Sequence, residues 1–487
     1  MPGAMLKRLA KRAAWLIVVS ALTLLAIRAF DSQRGPPLES WHTVVPKELT
    51  ADEIAGSDWQ GYLVAEDAVL EQVRAEVTRR LDAKDRVPAN RYFENSPVYP
   101  GRFAKDWNRS FALDPAGPPQ GAVVLLHGLT DSPYSMRQVA RLYRDRGFVA
   151  VVPRLPGHGS VPAGLTKATW EDWASTTRLA VREATRRAGA GRPLHVIGYS
   201  NGGALAVKYA LDAIEEPGLA RPARVVLISP MIGITEMARF AGFAGLPAIF
   251  PPFAKAAWLG IVPEFNPFKY NSFPVNAARQ SSLLTRALQP RVARLASEGR
   301  LADLAPVLTF QSVTDFTVST AAVVDALYAH LPANGSELVL YDLNRHTKFG
   351  PLLRAGKETL ADRLLPAAPR RYRTTVVSNA GTGSYEVAER VTEAGASAET
   401  VRPLGLRYPG DVFSLSHVAL PFPEEDPVYG ASPDPAEDFG VSLGAIALRG
   451  ERGTLVVSLD ALGRTSWNPF FPYQIRRVEE GIPGSTR

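Results

Sequence analysis

The pattern Gly198-Tyr199-Ser200-Asn201-Gly202 is a G-x-S-x-G, and it falls where the apolar run 194–198 meets the helix-like stretch 202–211. A serine hydroxyl is a weak nucleophile until a tight strand-to-helix turn exposes it beside a base and a helix N-terminus. Gly198 and Gly202 leave the space such a turn needs, and Gly203 and Ala204 let the helix approach the sheet. The chemistry suggested is attack of Ser200 on a carbonyl carbon. That attack drives charge onto the carbonyl oxygen, so backbone N–H donors must converge there. A second apolar run, 122–126, ends in His127-Gly128-Leu129. A donor loop belongs after such an early strand, so the amides of Leu129 and Asn201 are the oxyanion candidates. His127 is read as a structural residue that holds the loop.

With the nucleophile on such an elbow, the acid and then the histidine follow it along the chain. Asp315 follows the run 307–310 by a short loop and precedes the helical stretch 321–331, where the acid is expected. Capping that helix is its plain alternative role. Asp342, at the end of the next run, is the weaker alternative acid. Seven histidines occur, His42, His127, His158, His195, His330, His346 and His417, and three of them follow Asp315. His330 closes a helix and reads as a surface cation. His346 has the usual spacing, but Arg345 and Lys348 beside it oppose the imidazolium that a general base becomes. His417 stands among Ser414, Ser416 and Val418, without charge. His417 is the preferred base and His346 the alternate. A base at 417 requires an excursion of the chain between Arg345 and Ser416, long for such a connection.

Alternating short apolar runs and amphipathic stretches must position these groups. Strands are predicted at 122–126, 149–153, 194–198, 225–229, 307–310 and 338–341, with helices at 134–146, 170–187, 201–214 and 321–331. This is the pattern of βα units and a mostly parallel sheet with helices on both faces. Residues 119–233 read as the first part of the core and 305–345 as the second. Residues 234–304 interrupt them with Phe240, Phe243, Phe250, Phe253, Trp258, Phe265, Phe268 and Phe273. An insertion between two strands of one sheet must leave and return over one end, so it reads as a lid. Residues 31–118 form an N-terminal extension with a predicted helix at 64–81. The C-terminal extension, 346–487, has strand-like runs at 374–377 and 454–459 and a proline-rich stretch at 421–435.

Lys and Arg (55) exceed Asp and Glu (48) by seven. Lys7, Arg8, Lys11, Arg12 and Arg28 supply five of that excess, because residues 1–30 hold no acid. The basic balance is therefore that of a leader, and nucleic acid is not an expected partner. Within it, Arg12 and Arg28 bracket the uncharged run 13–27, as in a signal-anchor. The basic residues in front keep the amino end inside and send the rest across a membrane. An uncleaved anchor with an exported catalytic domain, periplasmic or extracellular, is the first reading, and secretion after signal cleavage the second. With no cysteine, disulfides, thiolate zinc sites and cysteine nucleophiles are excluded. No H-E-x-x-H and no strand-borne G-x-G-x-x-G occurs, so neither metal nor cofactor is expected.

Val123-Val124-Leu125-Leu126-His127-Gly128, Leu155-Pro156-Gly157-His158-Gly159, the Ser200 elbow and the strand ending at Asp315 together resemble a serine α/β-hydrolase of the monoacylglycerol lipase and carboxylesterase type. The resemblance covers roughly residues 119–345. Ser414-Leu415-Ser416-His417 and Trp467-Asn468-Pro469-Phe470 are similar to a membrane-anchored bacterial group of such hydrolases. It implies the α/β-hydrolase fold and hydrolysis of a small acyl-ester or lipid-like substrate by Ser, His and Asp through an acyl-enzyme. The alternatives are a peptidase or amidase on the same scaffold, or an inactive binding module.

Overall fold

A computed structural model describes residues 2–233, 245–347, 360–381, 383–445 and 464–484. The strand-like run 454–459, together with Phe240 and Phe243, lies outside the described residues. Among the described residues, twelve strands follow in chain order: β1 (Phe111–Leu113), β2 (Gly121–Leu126), β3 (Phe148–Val152), β4 (Leu194–Tyr199), β5 (Arg224–Ile228), β6 (Trp258–Gly260), β7 (Phe273–Pro274), β8 (Val307–Ser312), β9 (Glu337–Tyr341), β10 (Arg373–Asn379), β11 (Glu386–Thr392) and β12 (Glu399–Arg407). All but β6 and β7 form one ten-stranded sheet in the order β1-β3-β2-β4-β5-β8-β9-β10-β11-β12. The strands from β3 to β10 along that order run parallel, while β1, β11 and β12 pair antiparallel.

The central strands are unbroken apolar runs because both faces are covered, and side chains alternate between the faces. Val124, Leu126, Val151, Val196 and Leu227 point to one side, under helices Trp170–Ala188, Asn201–Glu215 and Val275–Ser297. Val123, Leu125, Val152, Ile197 and Ile228 point to the other, under helix Arg137–Asp145 and helix Phe471–Glu479 with the chain that precedes it. The α/β hydrolase fold expected from the sequence is the fold found. Because β2 lies between β3 and β4, chain direction along the sheet reverses there, and the loops leaving β2 and β4 lie at the same sheet end.

Three regions differ from the sequence reading. Helix Trp59–Glu76 starts earlier than the predicted 64–81, because the Asp58 carboxylate caps it by accepting from Gly61 N–H at 2.7 Å. Residues 275–297, read as part of the insertion, form a long helix whose Leu284, Leu288, Val292 and Leu295 are core residues. The sheet also runs past the boundary drawn at 345, since β10 continues it in parallel beside β9. Its far edge is β12, mostly exposed, carrying Glu399, Arg402, Pro403 and Arg407, with Gly405 at φ 65°.

Two buried ion clusters fasten the ends of the chain to this core. The Arg154 guanidinium, after β3, meets Glu48 at 2.7 Å and Glu66 at 3.1 Å from the N-terminal extension. Arg137 meets Asp426 of the proline-rich stretch at 3.1 Å, and Tyr134 Oη donates to the same carboxylate at 2.8 Å.

Candidate active site

Ser200 occupies the turn between β4 and helix Asn201–Glu215 with φ 55° and ψ −115°, a conformation that costs a non-glycine residue of order 1–3 kcal/mol. The surroundings hold it there: Ser200 N–H donates to Ile228 O at 3.0 Å and its carbonyl accepts from Met231 N–H at 2.9 Å. Close backbone approach fixes the neighbouring loop. A Cβ on Gly202 would stand 2.1 Å from Leu126 O, and one on Gly128 would stand 3.3 Å from Ser200 Cβ. The loop after β2 is thereby pressed against the elbow. Among the described residues, no protein acceptor takes the Leu129 or the Asn201 N–H. His127 ties the loop down, with Nδ1 2.9 Å from Gly128 O and Nε2 3.1 Å from Leu155 N. Burial lowers its pKa to about 3, so the ring is neutral, with the proton on Nδ1.

Asp315 and His417 meet across the end of β8. His417 Nδ1 lies 2.8 Å from Asp315 Oδ2, and both side chains are buried. The other carboxylate oxygen accepts from Thr317 N–H at 2.8 Å and Val318 N–H at 3.0 Å, while Gln311 Nε2 donates to Oδ2 at 3.1 Å. Burial alone would raise this carboxyl; the His417 ring and these donors outweigh it and hold it below its ordinary value. With the carboxylate on Nδ1, Nε2 is the nitrogen that could exchange a proton. The imidazole stacks on the ring of Tyr199, the residue before Ser200, at 5.3 Å between centroids and 30° between planes.

The excursion that brings His417 here is stitched to the strand ends. Asn344 Nδ2 donates to Pro409 O and Val412 O, both at 2.9 Å, and Ser312 Oγ donates to Leu415 O at 2.8 Å. Asn468, fully buried, donates its backbone N–H to Phe422 O at 2.9 Å, and Gln474 Nε2 donates to Leu420 O at 3.1 Å. His346 lies elsewhere, exposed, with its ring edge on Tyr385 at 4.6 Å. Asp342 is engaged with Arg345 at 2.8 Å.

Residues that sequence reasoning passed over also face the elbow. The Lys269 ammonium lies over the rings of Phe422, Tyr429 and Tyr199 at 5.0, 5.2 and 5.7 Å. Burial lowers its pKa, partly countered by Asp131 in the loop after β2. A lysine inside the aromatic run 265–273 was the available signal. Glu39, Asp82 and Asp85 are the one group of possible metal ligands found close together among the described residues; they lie in the N-terminal extension, with Lys84 2.8 Å from Glu39.

A model of the Alpha/beta hydrolase family matches residues 123–394, more than half of the chain. The chain belongs to the alpha/beta hydrolase family. The family match includes Ser200 and Asp315 and ends before His417. A thermostable monoacylglycerol lipase of Bacillus sp. (strain H-257) is 33% identical over 88 residues, 18% of this family member and 34% of that relative. The match thus spans about a third of the relative's length. Among solved structures, a monoacylglycerol lipase of Paleococcus ferrophilus aligns at 17% identity and a TM-score of 0.36, over 52% of this chain and 97% of that one. A soluble variant of the monoglyceride lipase of Saccharomyces cerevisiae, in complex with a substrate analog, aligns at 16% identity and a TM-score of 0.36, over 48% and 81%. Among the described residues, one helix, Pro2–Ser32, contains a stretch, Lys7–Asp31, long and apolar enough to cross a membrane.

Proposed function

We propose that this chain is a serine hydrolase that cleaves acyl esters, of the carboxylesterase or monoacylglycerol lipase kind, anchored in a membrane by its N-terminal helix with the remaining chain exported. The observation that carries the reading is the contact of His417 Nδ1 with Asp315 at 2.8 Å beside the strained Ser200 turn. In this mechanism His417 Nε2 takes the Ser200 hydroxyl proton as Oγ attacks the ester carbonyl. The Leu129 and Asn201 N–H groups receive the developing oxyanion, each such donor worth about 3 kcal/mol. Asp315 stabilises the imidazolium. His417 then returns the proton to the departing alcohol, leaving an acyl group on Ser200. Water, deprotonated by the same nitrogen, releases the acid and restores the serine.

Lipid-like substrates are supported by the likeness to the Bacillus relative, a monoacylglycerol lipase. The test is labelling with a fluorophosphonate, followed by turnover on matched ester and amide panels. Labelling that is lost in Ser200→Ala, with turnover on esters, supports the reading. A well-folded protein that neither labels nor turns over is a binding module, and preference for amides makes it an amidase.

A further inference from the structure

The end of the N-terminal helix and the lid touch. Arg28, which closes the uncharged run 13–27, donates to the carbonyls of Trp258 and Ala256. Gln33 Nε2 donates to Pro252 O at 2.7 Å, and the Lys255 ammonium lies 3.4 Å from Gly35 O. These partners belong to the turn Pro251–Ala257 and the start of β6, within the insertion. The same stretch has large apolar side chains that stay exposed among the described residues: Leu246 is 41% exposed, Ile249 74%, Phe250 63% and Leu259 48%. Single exposed apolar residues are ordinary on protein surfaces, whereas a group of them around one short segment marks an interaction site.

We infer that the lid turns at 246–259 dock on the lipid bilayer, in the leaflet from which the N-terminal helix emerges. This rests on the reading of that helix as a membrane span. If the run 13–27 occupies the hydrocarbon, Arg28 stands at headgroup level, where arginine ends of spans reside. The carbonyls it holds are then at the same level, and Ile249 and Phe250 come with them. Arg28 and Lys255 give this face the basic rim that accompanies apolar insertion at an interface. The occupant is therefore lipid, and the segment is shared with the site: the insertion continues to Tyr270, whose N–H donates to Thr130 O at 2.8 Å in the loop beside Leu129. A bilayer-resident acyl ester would meet the protein at the segment that leads to Ser200.

The chain has no cysteine, so single substitutions carry one probe each. The full chain is reconstituted in phosphatidylcholine vesicles with an environment-sensitive fluorophore on Leu16→Cys, Ile249→Cys, Phe250→Cys or Val401→Cys. It is then quenched from the acyl chains by brominated lipid and from water by iodide. Leu16 reports the span and Val401, 60% exposed on β12, reports water. The expected result is quenching of positions 16, 249 and 250 by brominated lipid, with iodide quenching at 249 and 250 lowered at least ~3-fold relative to 401. If 16 meets lipid while 249 and 250 meet water, docking is overturned and the anchor stands. If 16 itself meets water, the membrane reading fails and docking fails with it. Shielding of 249 and 250 from both quenchers that grows with protein density identifies a second copy as the occupant and also overturns the inference.

Discussion

The two halves of the candidate site are built in opposite ways. Ser200 and the loop carrying Leu129 come from neighbouring central strands and are forced together by backbone contact at Gly128 and Gly202. Asp315 and His417 lie 102 positions apart and meet through an irregular segment held by scattered side-chain amides and hydroxyls. The nucleophile half is therefore a property of the core and tolerates almost no added volume. The proposed acid–base half is a property of a tether, and its precision depends on the side chains that hold the segment 409–422.

The largest effects remove the reacting groups of either half. Ser200→Ala should leave the fold intact and lower ester turnover by at least about 10³-fold. His417→Ala should cost as much, because the two act as one unit, whereas His346→Ala should stay within about 3-fold of the parent. Steady-state rates on one soluble ester, beside circular dichroism, check all three. An inactive His346→Ala with a working His417→Ala would dissolve the tethered half of the comparison.

Next in size is the packing of the core half. Gly202→Ala should destabilise by about 3 kcal/mol, since its methyl would stand 2.1 Å from Leu126 O and backbone cannot step aside cheaply. Denaturant unfolding reads this directly; a midpoint equal to the parent's would show that the contact is not rigid. The tether responds differently. Asn468→Ala removes the side-chain donor that reaches Leu420 O at 3.4 Å, and should slow kcat by about 10- to 100-fold through misplacement of His417, with a smaller loss of stability. Unchanged kcat in that variant would mean the 417–422 turn holds itself.

A separate effect is on pH dependence. Burial lowers the pKa of His127 and His195 to about 3 and that of His42 to about 4, from 6.5. Below pH 6.5 the unfolded chain takes up protons that the folded one refuses, so stability falls as the pH falls, by up to about 1.4 kcal/mol per pH unit for each histidine until its folded value is reached. Asp315, held below its ordinary 3.8, adds a loss in the same direction at lower pH. Unfolding free energies between pH 7 and 5 test this, and a flat profile would contradict it.

The core half was the easier to read. The strands that carry it are continuous apolar runs, and all six predicted there begin within a residue of where β2, β3, β4, β5, β8 and β9 begin. The helix Val275–Ser297 escaped because its buried face includes Gln280, Ser281, Ser282 and Thr285, which dilute the apolar repeat, and Pro290 interrupts it. Strand β12 escaped because a mostly exposed edge strand carries charges where a core strand carries valine, and β11 because Glu386, Glu389 and Arg390 break its apolar run. The pairing of Asp315 with His417 was legible only as a preference between two histidines. Local charge argued against His346, but nothing local announced that Asn344, Ser312 and Asn468 would anchor the intervening chain.

The charged outer strand β12 has a consequence for self-association. An open strand edge is a template on which another chain can add, and Glu399, Arg402, Pro403 and Arg407 with the bend at Gly405 spoil that template. Remove them by ending the chain before Glu386, and the terminal strand becomes β10, Arg373–Asn379, whose Thr374, Thr375, Val376 and Val377 are buried in the intact protein. Short, β-branched from Thr374 to Val377 and free of proline, it has the makings of an aggregation nucleus. The last strands of the sheet thus act as gatekeepers, keeping a hydrophobic ladder from polymerising.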